Sequence, residues 1–169
     1  MVSILSALFL LAAPTAPLDL PRVSVQVPVP YEVCAVTPLG VSVGVGAGVV
    51  CPEGADFAPV DVAVREAAEN QGVKPELFAG ATVLFVPAVI TGCSKDLADD
   101  NDYAGCTDPT VKLSIVSLLY EHADLVLVHE LEHTAIHLKA KTFWHHKQKR
   151  EEAMHKALDA KLCKQVTGD

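Results

Sequence analysis

The sequence predicts an α+β fold, a small sheet with helices packed on it, and three observations carry that expectation. Val23, Val25, Val27 and Val29 alternate with Ser24, Gln26 and Pro28 at the two-residue period of a strand. The run Thr-Val-Leu-Phe-Val-Pro-Ala-Val-Ile over 82–90 has the length and β-branched content of a buried strand. Residues 118–138 and 147–162 carry apolar positions over lengths that suit helices.

Taken in order, residues 17–59 form a β-rich segment crowded with valine, proline and glycine. Val41-Ser-Val-Gly-Val-Gly-Ala-Gly repeats the alternation after Thr37-Pro-Leu-Gly40, so a hairpin is predicted, with glycines and prolines that suit an edge or an appended element. Residues 60–169 form the core. Asp61 is a candidate N-cap for a helix over 62–70, and Gly72 is its stop. Pro87 marks the end of the 82–90 strand or a bulge in it. A second strand covers 110–116. A long helix follows over 118–138 with Ser117 as its cap, and a last helix covers 147–162.

The long helix carries His129-Glu130-Leu-Glu-His133, an H-E-x-x-H motif behind the apolar run Leu125-Val-Leu-Val128. Histidines four residues apart lie one above the other on a helix face, so both imidazoles reach one metal ion. Glu130 follows the first of them directly, where its carboxylate reaches a metal-held water and takes its proton as that water attacks a polarised carbonyl. The pattern points to zinc, with His129 and His133 as ligands and Glu130 as general base. Glu132 places a charge between the histidines, which predicts that this position of the helix faces solvent.

On these residues the sequence resembles the zincin metallopeptidases. Metzincins continue with a glycine and a third histidine, but those positions hold Ile136 and Lys139. The resemblance is therefore to gluzincins, which take a glutamate from a following helix, and it covers residues 60–163. It implies a minimal zincin-like core, zinc-dependent peptide-bond hydrolysis, and a third ligand in Glu151 or Glu152. Eighteen residues separate His133 from Glu152, which fits the aminopeptidase-like spacing, and seventeen separate it from Glu151. The apolar face set by Met154, Ala157, Leu158 and Leu162 favours Glu151. His155 stands four residues after Glu151, where several gluzincins carry an acidic residue that orients a zinc-bound histidine, and a histidine there departs from the pattern. In that family the strand before the motif helix borders the cleft and pairs with the extended substrate, which would give the task to residues 110–115. Oxyanion donors by chemistry alone are Tyr103, Tyr120, His145 and His146. His122 and His137 lie at no spacing this metal scheme uses.

Composition sets the compartment and the partners. Residues 1–16 read as a signal peptide, an apolar run ending in small residues and too short to span a bilayer, although no Lys or Arg precedes it. Five cysteines suit an oxidising compartment, so a secreted or otherwise extracytoplasmic protein is expected. Cys93 with Cys106 and Cys34 with Cys51 are the natural pairs, leaving Cys163 odd. The formal charge of −8 argues against nucleic acid as a partner. Eight of the thirteen Lys and Arg residues fall between 139 and 164, read as a solvated helix face. Asp96, Asp99, Asp100, Asp102 and Asp108 crowd the loop before the motif helix; without an EF-hand glycine and distal glutamate, a solvated loop is the default and calcium the alternative. Two other functions fit the same residues: a catalytically inactive zinc-binding secreted module, and a disulfide-stapled structural or envelope protein without metal.

Overall fold

A computed structural model describes residues 20–25, 29–46, 48–93, 102–139, 153, 155 and 156. Its architecture is α+β. Strands β1 (Arg22–Ser24), β2 (Tyr31–Val36) and β3 (Ser42–Gly46) precede helix α1 (Ala58–Gln71) and a single 3-10 turn (Pro75–Phe78). Strands β4 (Thr82–Val86), β5 (Val89–Thr91), β6 (Gly105–Asp108) and β7 (Leu113–Ser117) then lead to helix α2 (Ala123–Lys139). Five strands form one sheet in the order β2-β3-β4-β7-β6, and β1 and β5 form a second, two-stranded sheet. The strands β3, β4 and β7 run parallel, while β2 and β6 are antiparallel strands at the two edges.

Registers across the five strands sort the side chains onto two faces. Val43, Val83 and Ser114 align, as do Val45, Phe85 and Val116, and these rows face α1 and α2. The intervening residues Leu84, Val86, Ile115 and Cys106 face the other way, where Val23, Val25, Ile90 and Cys93 cover them. The sheet is thus buried on both sides, which explains why β4 reads as a continuous apolar run rather than an alternating one.

The predicted hairpin exists with its turn at Thr37-Pro38-Leu39-Gly40, where Thr37 Oγ1 accepts the Val41 N–H at 3.3 Å. Its first strand is Tyr31–Val36, however, and the valine alternation further upstream supplies only the short β1, which pairs with β5. Nor is β3 appended: it pairs in parallel with β4, so the Val/Pro/Gly-rich segment and the following one share a sheet. Gly44 makes the hairpin possible, since a Cβ there would sit 2.7 Å from the Glu32 carbonyl oxygen.

Helix α1 begins four residues before the predicted 62. Phe57 is the N-cap residue, Asp56 Oδ1 accepts the Ala58 N–H at 2.9 Å in a turn just ahead of the helix, and Asp61 lies buried in the first turn instead of capping it. Gly72 ends the helix as expected. It is left-handed at φ 61°, its N–H bonds the Glu69 carbonyl and the Val73 N–H bonds Ala68, the two bonds of a Schellman cap. Lys139 Nζ, from the end of α2, donates to the Gln71 carbonyl at 2.8 Å and places a cation at the negative end of α1. Pro87 does end β4.

Two boundaries before the site also differ. The strand expected over 110–116 begins at Leu113, because Asp108 Oδ1 accepts both the N–H and the hydroxyl of Thr110 and Lys112 turns at φ 53°. Helix α2 begins at Ala123 rather than 118. Ser117 Oγ accepts the Leu119 N–H at 3.2 Å and closes a turn there instead of capping the helix.

Both disulfides read from the sequence are present, Cys34–Cys51 and Cys93–Cys106. The first ties β2 to the segment before α1; the second ties β6 to the chain leaving β5. Cys163 and residues 1–16 lie outside the described residues. Among the described residues, no helix is long and apolar enough to cross a membrane.

Candidate metal centre

Helix α2 is buried along most of its length because it packs on β6 and β7 with one face and on α1 with another. That position carries the H-E-x-x-H turn into the interior: His129 is 7% exposed, Glu130 5%, and His133 half-buried. The two imidazoles lie one turn apart with ring centroids 4.9 Å from each other. The expectation for Glu132 fails. It is 8% exposed, and Asn70 Nδ2 of α1 donates to its Oε1 at 2.5 Å, so the charge between the histidines is held by the neighbouring helix and not by solvent.

A third imidazole joins them. His155, helical and exposed, has its ring centroid 4.6 Å from that of His129 and 5.5 Å from that of His133. One nitrogen from each of His129, His133 and His155 lies within 4.8 Å of the other two, a group that could hold a metal ion. Three neutral imidazoles with a fourth position open are a donor set that zinc accepts, and imidazole equally suits copper, iron and nickel. Glu151 and Glu152, the ligands expected by resemblance, lie outside the described residues, as do His145 and His146. In the sequence His155 stands only as a departure from the gluzincin pattern.

Glu130 is seated by β6. Thr107 Oγ1 donates toward Glu130 Oε2 at 2.8 Å and lies 2.9 Å from the Glu130 carbonyl oxygen and 3.0 Å from Ser114 Oγ. On the other side of the carboxyl, Gly105 leaves room that any side chain would fill. A Cβ there would stand 2.5 Å from Glu130 Oε1 and 2.7 Å from Val126 Cγ1. Burial pushes the Glu130 carboxyl from 4.5 up to about 7, and the Thr107 hydrogen bond offsets part of that rise. Neither Gly105 nor Thr107 stood out in the sequence, because their stretch has little strand character and carries no local sign of the close approach to Glu130.

The strand beside the site is not the predicted one. β7 is interior, flanked by β4 and β6, so its backbone is committed on both sides. The edge is β6. Ser117 N–H bonds Ala104 O, and by the alternation of an antiparallel ladder the backbone groups of Gly105 and Thr107 point away from β7. Tyr103, just before β6, is half-buried and bridges Ile90 through its backbone. Of the acidic loop, Asp96, Asp99 and Asp100 lie outside the described residues, and Asp102 pairs with Arg22 at 3.1 Å.

Comparison with protein-family profiles, curated proteins and solved structures finds no match to this chain.

Proposed function

We propose that the chain is a zinc-dependent peptidase working outside the cytoplasm. The observation that carries this reading is the convergence of His129, His133 and His155, with the buried Glu130 next to His129 in the same helix. His129, His133 and His155 would hold the zinc, and Glu151 and Glu152 remain candidates for the same role by resemblance. When bound, zinc supplies a Lewis acid for the scissile carbonyl and lowers the pKa of a coordinated water.

Glu130 then accepts the proton of the attacking water. It would then hand that proton to the departing amine, the second half of a general base's work. The open side of β6 supports a peptide as the substrate. An extended chain added there would bond the outward backbone groups of Gly105 and Thr107 and run past Glu130, which Thr107 touches. Two disulfides support an oxidising compartment.

The test is cleavage of a mixed peptide library by the zinc-loaded full chain, with and without chelator, beside Glu130→Gln. We expect chelator-sensitive cleavage that falls at least about 100-fold in the variant while zinc is retained. Cleavage that survives the chelator, or a variant as fast as the parent, overturns the mechanism; bound zinc with no cleavage by the parent would make the chain a binding module.

A further inference from the structure

The hydroxyl of Thr107 has one proton and three oxygens around it. The Glu130 carbonyl oxygen, 2.9 Å away, lies inside α2 and is a neutral acceptor that it shares with the helical N–H four residues on. Ser114 Oγ, 3.0 Å away and buried on the same face of the sheet, has a proton of its own and can donate it to Thr107. That arrangement leaves the Thr107 proton for Glu130 Oε2 at 2.8 Å, the acceptor that carries charge when the acid ionises. On the opposite side Glu130 Oε1 lies against the bare backbone of Gly105, 2.5 Å from where a Cβ would be.

We infer that Thr107 is a positioning residue for the general base: its hydroxyl holds Glu130 Oε2 and so leaves Oε1 as the oxygen available to the reacting water. The inference rests on the peptidase reading above. Ser114 supports this by fixing which way the Thr107 proton points, and Gly105, having no side chain, leaves the space that Oε1 occupies. A residue whose only work was to fill space beside a buried acid would be replaceable by valine, which has the shape of threonine without its donor.

Full-length parent, Thr107→Val and Thr107→Ser, each zinc-loaded, are compared by kcat and KM on one peptide substrate and by zinc affinity in a competition titration. Crystal structures of zinc-loaded parent and Thr107→Val are compared as well. The valine variant should lose about 10- to 100-fold in kcat with KM and zinc affinity unchanged, and its Glu130 carboxyl should turn away from the position seen in the parent. The serine variant, which restores the donor, should recover most of the rate. An unchanged kcat in the valine variant, or valine and serine falling together along with zinc affinity, overturns the positioning role. If the parent holds zinc and cleaves nothing, the peptidase reading fails, and the two carboxyl positions still decide the inference: an unmoved carboxyl in Thr107→Val refutes it.

Discussion

Glu130 is a carboxyl taken out of water with one hydroxyl for company, and its protonation is therefore linked to folding. Its folded pKa, about 7, lies above the ordinary 4.5, so the stability it allows is fully present below about 4.5 and is lost as pH rises through 7. In the metal-free protein at pH 8 the ionised acid costs about 3 kcal/mol. Glu130→Gln removes that dependence. Urea unfolding in chelator should show the variant gaining on the parent by roughly that amount between pH 4.5 and 8, and a difference independent of pH would contradict the burial of the charge. At this scale the sequence showed half of the site. The spacing of His129 and His133 follows from 3.6 residues per turn and was legible; Thr107 and Gly105 meet Glu130 from more than twenty residues away in sequence, through sheet register that no local pattern encodes. His155 is legible in principle, since a helical wheel puts it on the face that favours Glu151, although the gluzincin resemblance calls for a glutamate as third ligand.

Elements are positioned here by a few covalent and polar ties. The Cys93–Cys106 bridge closes a short loop, with thirteen residues of separation, and its second cysteine stands between Gly105 and Thr107 on β6. Removing it by Cys93→Ser with Cys106→Ser should lower stability by about 3 kcal/mol and reduce peptide cleavage, because β6 loses its tie to the chain leaving β5. Denaturant unfolding and kcat measured on the same samples check this, and a destabilised variant with full activity would show that β6 is held by the sheet alone. The α1–α2 pair is tied by Asn70 to Glu132 and by Lys139 to Gln71. Those contacts explain why Glu132 could be charged and buried together, which its position in the motif did not suggest. Element ends were more legible than helix starts. Gly72 ends α1 because glycine turns left-handed without strain and Pro87 ends β4 because it lacks an N–H, whereas Asp61 lies inside the first turn of α1 and Ser117 closes a turn ahead of α2 instead of capping it.

For the whole molecule, the α+β class was legible because two apolar helices and several valine-rich strands admit few other layer arrangements. The order of strands was not. Residues 110–116 look like an edge strand by their weak alternation, yet β7 lies inside because β6, a Gly-Cys-Thr-Asp stretch with little strand character, folds back antiparallel and takes the edge beside α2. This order sets the edge strand β6 against the buried acid of α2, on a sheet whose opposite face is covered by β1 and β5. The central claim is that His155 completes a metal site with His129 and His133, and zinc binding tests it most directly. Elemental analysis and competition titration of the purified full chain should find about one zinc per chain, weakened on the order of 100-fold or more by His129→Ala, His133→Ala or His155→Ala alike. A chain that takes up no zinc, or a His155→Ala variant that binds it as tightly as the parent, would contradict the account.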